Sequence, residues 1–291
     1  MARAATPSSL AVLRRRVLAA QPDHSVHIAS IGITNQRETS IVWQKSTGTA
    51  LGPAINWQCR RTASRCAKLS AHADLIKQKT GLPLDAYFSA SKFEWHINNT
   101  PDVQALLDKH DLCFGTVDAW LLWNLTQGQS YATDVTNASR TMLLDIHTCQ
   151  FDQKLCALFG IPLGALPKIQ DSISHFGDYD HNGSRIPIHA MIGDQQAALY
   201  AQCGQTAGQI KNTYGTGLFM MTNTGPTVVE TTDLISTIAI GVNGAVDYAI
   251  EGAVFTGGAL IQWLRDSLGL IESAKDTQAL AESVDGNTGG T

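Results

Sequence analysis

Several things are missing from this sequence, and each absence removes a class of function. Its six cysteines, Cys59, Cys66, Cys113, Cys149, Cys156 and Cys203, lie far apart, with no CxxC pair and no metal-ligand spacing. A zinc ribbon or a disulfide scaffold is therefore excluded, and reduced thiols in a cytosolic compartment are expected. No apolar run approaches the roughly 20 residues that a membrane-spanning helix needs. Neither GxxxxGK[ST] nor GxGxxG occurs, which argues against a P-loop ATPase and a dinucleotide oxidoreductase. HExxH and GxSxG are absent too. Excess charge of either sign is lacking: 21 basic and 25 acidic residues give a net charge of -4, spread along the chain. That leaves no electrostatic footprint for nucleic acid or an anionic membrane and suits a small neutral substrate. The sequons at Asn124, Asn137 and Asn182, with no secretory signal before them, read as chance matches.

What is present is a chain of 291 residues with 44% hydrophobic content, enough for one large domain or two ordinary ones. The opening MARAATPSSLAVLRRRVLAA is rich in Ala, Arg and Ser and has no acid before Asp23, the composition of an organelle transit peptide. Its alternative is an ordinary amphipathic helix from Ser9 to Ala20. A cytoplasmic location is expected, with a mitochondrial one as the alternative if that opening is a transit peptide.

Further along, HIASIGIT reads as a strand, NQRE as a turn and TSIVWQ as a second strand. TASRCAKLSAHADLIKQKTG has helical spacing and stops at Gly81. LCFGTVD then AWLLWNLT places a strand, an Asp and a helix in succession, and IPIHAMIGD then QQAALYAQCG does so again. This alternation argues for an α/β domain whose strands are buried on both faces. From Gly208 the texture changes to QIKNTYGTGLFMMTNTG, LISTIAIGV and VDYAIEGAV, consecutive strands joined by Gly and Asn turns, followed by the helix GGALIQWLRDSLGL. A second domain starting near Gly204 is expected.

Asp194 falls at a strand end and a helix start, where a carboxylate caps free N–H groups. Ligands of open α/β sheets gather at that same edge, and Gln195 lies beside it. Arg37 and Glu38 read locally as a solvated hairpin tip with a weak ion pair. The same two residues could hold a polyol, Glu38 accepting from hydroxyls and Arg37 donating to their oxygens. Trp57 and Tyr87 are core residues by default or an apolar wall for a small polyol. In NTYGTG, Gly215 and Gly217 leave room for backbone N–H groups to face a phosphate, with Thr216 adding a hydroxyl. The bare motif is no better than a hairpin turn, and the nine histidines receive no role.

Several of these stretches, IGITNQRETS, INWQCRRTA, TGLPLDAYFSASKFEW, FGTVDAWLLWNLT, TDVTNASRTMLLDIHT, GDQQAALYAQC, KNTYGTGLFMMTNTG and EGAVFTGGALIQWLRDSLGLI, together resemble the glycerol kinases of the FGGY carbohydrate kinase family. The resemblance runs in order from about Ile31 to Ile271. It implies an α/β, actin-like ATPase (ribonuclease H-like) two-domain architecture with a cleft where glycerol meets ATP and Mg2+. By position, Arg37, Glu38, Trp57, Tyr87, Asp194, Gln195 and Phe219 resemble the glycerol-binding set, and Thr216, Gly258 and Gln262 the nucleotide contacts. Asp194 is then the catalytic base and, through water, a magnesium ligand.

Two departures temper that expectation. Nothing before Ile31 resembles the family's Asp-x-Gly-Thr phosphate loop, and AESVDGNTGGT ends where the family continues into further strands. Both domains are therefore expected to be incomplete: 1–203 an N-terminal FGGY domain without its first strands, 204–291 the start of the C-terminal one. Two readings stay open, a truncated glycerol kinase of doubtful activity, and a non-catalytic glycerol-binding or regulatory remnant that keeps a polyol pocket or associates with a full-length relative; a homo-oligomer is a further possible partner. A kinase for another polyol or sugar ranks last. His96, where the family usually has an aliphatic residue, is expected to be a tolerated helix-surface change.

Overall fold

The computed structural model describes residues 28–181, 183–202 and 204–284. The Arg-rich opening, with its transit-peptide and helix readings, lies outside the described residues, as do Asn182 and Cys203. Strands are β1 (Ile31–Asn35), β2 (Ile41–Gln44), β3 (Leu112–Gly115), β4 (Ala132–Asp134), β5 (Leu144–Asp145), β6 (Gln150–Phe151) and β7 (Lys168–Gln170). They continue with β8 (Ile173–His181), β9 (Ser184–Gly193), β10 (Ile210–Tyr214), β11 (Leu218–Gly225), β12 (Ile235–Val242) and β13 (Ala245–Val254). Seven of them form one sheet in the order β1-β9-β8-β12-β13-β11-β10. Its two halves meet where β12 pairs parallel to β8 through Val242 and Ile173. On one side β1 runs parallel to β9, while on the other β10 to β13 are antiparallel.

The consecutive strands expected after Gly208 are these last four. Asn243 and Gly244 join β12 to β13 with φ of 53° and 76°, the left-handed pair that a tight primed hairpin turn demands. Gly81 ends the Ala73–Thr80 helix at φ 74°, the left-handed stop that glycine reaches without steric cost. Upstream, the single expected helix is split into Ala63–Lys68 and Ala73–Thr80 around a 3₁₀ turn, Ser70–His72. Leu69 is the cause: it is drawn into the core, and its N–H is shared between the Arg65 and Cys66 carbonyls, which tightens the helix there.

Three local expectations are corrected. Residues 36–40 are not a hairpin tip, because β1 pairs with β9 while β2 pairs antiparallel with β3; the segment crosses between two sheets. Strand burial on both faces holds for β3 but not for β1, where Ile33 and Asn35 are buried and Gly32 and Thr34 exposed. His96 is not on a helix surface. It is fully buried in the Ala90–Asn99 helix, its Nδ1 2.9 Å from Thr100 Oγ1 and its Nε2 without a partner. Burial, with Arg61 nearby, lowers its pKa to about 4.

The largest hydrophobic cluster, including Phe88, Phe93, Phe114 and Phe159, packs the helices around β2 and β3. A second, with Ile33, Leu122, Phe176, Ile188 and Met191, fixes β1, β8 and β9 against the Val117–Leu125 helix. Asn137 is buried inside the structure, consistent with a chance sequon. The described cysteines, Cys59, Cys66, Cys113, Cys149 and Cys156, are free thiols. Among the described residues no helix is long and apolar enough to cross a membrane.

Candidate functional site

The site begins at the carboxyl ends of two parallel strands. β1 delivers Arg37 and Glu38; beside it β9 ends at Gly193 and passes into the Asp194–Ala201 helix. Gly193 is required sterically, since a Cβ there would lie 2.9 Å from the Arg37 Cδ and from Gln196 Oε1. Its absence lets the arginine stem lie across the strand-helix junction. Gly193 itself donates its N–H to Thr136 Oγ1 at 2.9 Å. Thr136 belongs to a short helix capped by Asp134, which accepts from the Thr136 and Asn137 N–H groups and from Ser172 Oγ. Asn35 and Asn137 exchange amide hydrogen bonds of 2.9 and 3.2 Å. The strand ends and the segment leading to Arg140 are thus locked together before any charge is counted.

At the centre four buried charges alternate. Arg37 Nη1 donates to Glu251 Oε2 at 2.5 Å and to Gln196 Oε1 at 3.2 Å. Its Nη2 donates to Glu251 Oε1 at 3.2 Å and to Tyr87 Oη at 3.4 Å. Arg140 donates from Nε to Glu38 Oε1 at 2.7 Å and from Nη2 to Glu251 Oε1 at 2.8 Å. All four side chains are at most 2% exposed, so they leave water as a neutral set, the condition for burying charge at all. Burial alone would raise the pKa of Glu251; Arg140 and Arg37 overcome it and hold the carboxyl down to about 2. Burial likewise opposes the charge on Arg37, but Glu251 and Glu38 keep the guanidinium protonated. Glu38 sits at φ 60°, a left-handed conformation uncommon for a residue with a side chain, held by the surrounding bonds.

Asp194 stands at the rim. It is the first residue of its helix, with Gly193 as the cap residue, and its Oδ1 accepts the Gln195 N–H at 2.8 Å. Its side chain is 41% exposed and lies 3.6 Å from Arg37 Nε, beyond hydrogen-bond distance. Among Glu38, Glu251 and Asp194, only Asp194 accepts no arginine hydrogen bond. Gln195 is held by Lys211, whose Nζ donates to its side-chain oxygen, to Thr213 Oγ1 at 3.0 Å and to the Phe219 carbonyl at 3.0 Å. Burial lowers the Lys211 pKa to about 8.

Four separate segments supply an aromatic wall. Trp57 meets Tyr87 edge to face at 5.8 Å and Phe219 at 6.1 Å, and Phe255 lies 5.0 Å from Tyr87. A cavity of about 590 Å³ borders this wall, lined by Tyr87 and Phe255 from the wall and by Glu251 from the charged cluster, while Arg37, Glu38, Trp57, Asp194, Gln195 and Phe219 lie outside its lining. Arg37, Glu38, Trp57, Tyr87, Asp194, Gln195 and Phe219 are therefore brought together.

Thr216, Gly258 and Gln262 form a second group. Thr216 is exposed in the turn between β10 and β11, and its carbonyl accepts the Gly257 N–H at 2.8 Å. The Gly258 N–H bonds to the Gly215 carbonyl at 2.8 Å. Gly258 and Gln262, four apart, share one face of the Gly258–Asp266 helix. Neither Gly215 nor Gly217 has a positive φ, and the Gly215 N–H is spent within the turn on the Gly217 carbonyl. The glycine at 217 answers to close packing instead: a Cβ would lie 3.0 Å from Phe219 and from the Val254 carbonyl.

The model of the N-terminal domain of the FGGY family of carbohydrate kinases matches residues 12–201. The chain belongs to the FGGY family. It is 52% identical over 265 residues to a glycerol kinase of Shewanella frigidimarina, covering 90% of this chain and 53% of that protein. A crystal structure of Plasmodium falciparum glycerol kinase with ADP superposes with a TM-score of 0.86 at 39% identity, over 95% of this chain and 57% of that one. The xylulose kinase of Lactobacillus acidophilus, at 19% identity and a TM-score of 0.76 over 95% of this chain and 56% of that one, shares the fold. The α/β arrangement is thus the actin-like ATPase fold of FGGY sugar kinases, and the chain spans about half the length of the relatives it matches.

The sequence reading missed Arg140, Glu251, Gln196 and Lys211. Glu251 left one legible mark, an acid inside the otherwise uncharged run YAIEGAV, where an unpaired charge would be costly. Its partner Arg140 lies 111 positions away and gave none.

Proposed function

We propose that this FGGY chain acts in the ATP-dependent phosphorylation of glycerol to glycerol 3-phosphate, with Asp194 as the base. One observation carries the reading: of the three carboxylates at the site, Asp194 alone is both open to solvent and free of an arginine hydrogen bond. Glycerol would lie against Trp57, Tyr87 and Phe219, with Glu38 accepting from one hydroxyl and Arg37 and Gln195 donating to hydroxyl oxygens. The attacking hydroxyl gives its proton to Asp194 as its oxygen bonds to the γ-phosphorus, and the bond from that phosphorus to ADP breaks. A base so placed contributes roughly 100- to 10,000-fold, while alignment and charge stabilisation supply most of the rest. Thr216, Gly258 and Gln262, which lie after residue 204, we assign to nucleotide contact.

No cluster of three or more metal-ligating side chains occurs among the described residues. Magnesium nevertheless fits, because it is ordinarily held by one or two carboxylates, waters and substrate phosphates. Asp194, through water, is the residue that would hold it, and the ion would neutralise phosphate charge.

Calorimetry with glycerol and a coupled ADP-release assay test the proposal on the chain and its Asp194→Asn variant. The expected variant binds glycerol within about threefold of wild type and loses at least about 100-fold in turnover. An Asn variant that turns over at the wild-type rate removes Asp194 from the reaction. Glycerol binding by wild type without turnover assigns the chain the binding step alone.

A further inference from the structure

Arg37 has five N–H donors, and four of them reach partners: the Nη pair faces Glu251, Gln196 and Tyr87. Among the described residues only Nε finds no hydrogen-bond partner, lying 3.6 Å from Asp194 and 3.7 Å from Glu38. Glu38 shows the complementary pattern, with Oε1 taken by Arg140 and Oε2 bonded to no protein group among the described residues. Glu251 Oε1 accepts from both arginines, so one carboxylate sets the plane of both guanidinium groups. We propose that Glu251 and Arg140 are positioning residues for the polyol site: they turn the Nε edge of Arg37 and the free oxygen of Glu38 toward the ligand, and keep the Arg37 fork off Asp194. The part concerning the ligand rests on the glycerol reading above.

The alternative geometry explains why such a clamp is needed. A guanidinium fork matches a carboxylate with two parallel hydrogen bonds. Asp194 is already within 4 Å of Arg37, and without a stronger acceptor behind it the fork would rotate onto Asp194. A carboxylate engaged in that way is a poor proton acceptor and is no longer open to a hydroxyl. Glu251, buried and closer, takes the fork first.

The test uses the 291-residue chain labelled with isotopic arginine, observed by NMR, together with glycerol calorimetry and thermal unfolding. In wild type, Arg37 should show separate, slowly exchanging Nη signals, as fork bonding to a carboxylate hinders rotation. Glu251→Gln should broaden those signals and weaken glycerol binding at least about tenfold. Arg140→Lys retains the positive charge but cannot bridge Glu38 and Glu251 in one plane; it should weaken binding at least about fivefold. This second variant carries the test if Glu251→Gln fails to fold. Unchanged Arg37 signals in both variants overturn the clamp, and so does wild-type glycerol affinity in both. If wild type binds no glycerol, the functional reading fails by itself, and the clamp is decided by the arginine signals, whose loss in the variants supports it.

Discussion

His96 offers a quantitative check on the core beside the site. It is buried on the Ala90–Asn99 helix with one ring nitrogen bonded to Thr100 and the other unpaired. In His96→Leu two effects oppose each other at neutral pH. Removal of the unpaired Nε2 recovers about 1–3 kcal/mol of desolvation, and loss of the Nδ1 contact costs about 1 kcal/mol. The variant should therefore be about 1 kcal/mol more stable at pH 7. The larger effect is its pH dependence. Burial lowers the folded pKa from 6.5 to about 4, so as pH falls the unfolded chain takes up the proton first. Stability from the neutral ring is whole above pH 6.5 and is lost progressively down to about pH 4. At 1.36 kcal/mol per pKa unit the loss amounts to about 3 kcal/mol. A leucine side chain cannot titrate, and every other group titrates alike in both proteins. Urea unfolding of the two from pH 7 to pH 4 should show the stability difference widening by about 3 kcal/mol. Parallel curves would refute the reasoning, whatever the offset at pH 7.

Two further outcomes follow from the geometry. Gly81→Ala should destabilise the chain by more than about 2 kcal/mol in thermal or urea unfolding, because φ is 74° and a Cβ would collide with the Ser236 carbonyl; a smaller loss would mean that β12 can shift. Trp57→Ala, which removes a half-buried ring from the wall with Tyr87 and Phe219, should raise the glycerol Kd about tenfold, near 1.4 kcal/mol, with a smaller effect on melting; an unchanged Kd would place glycerol elsewhere.

What could be read from the sequence was what local chemistry encodes. Asn243-Gly244 specifies its turn without outside help, and Gly81 specifies a helix end. Strands β10 to β13 were legible because Gly-, Asn- and Thr-rich segments at 215–217, 226–234 and 243–244 separate runs of β-branched and apolar residues. Asp194 was legible by position, at the carboxyl end of β9. Arg37 and Glu38 show the limit. Taken locally, two opposite charges after a strand belong in water, and only Arg140 and Glu251, distant along the chain, make their burial tolerable. His96 failed for the related reason that a polar ring at one helix position does not reveal which face is covered. In both cases the deciding term was a tertiary contact with no periodic signature.

The same contacts explain how similar side chains come to differ in role. Glu38, Glu251 and Asp194 lie around one arginine, yet two are withdrawn from water and fixed, while the third keeps an open face. Environment, rather than residue type, separates the proposed roles of hydrogen-bond acceptor, structural counter-ion and base. Counting charge extends the argument. Arg37 and Arg140 balance Glu38 and Glu251 within the buried four, which leaves Asp194 as the carboxylate whose charge can respond to the reaction. In the proposed reaction Asp194 gains a proton as phosphoryl oxygens enter the site. That transfer makes the site one unit more positive where the incoming group is negative, and the field opposing the product's formation is reduced at the moment it would otherwise grow.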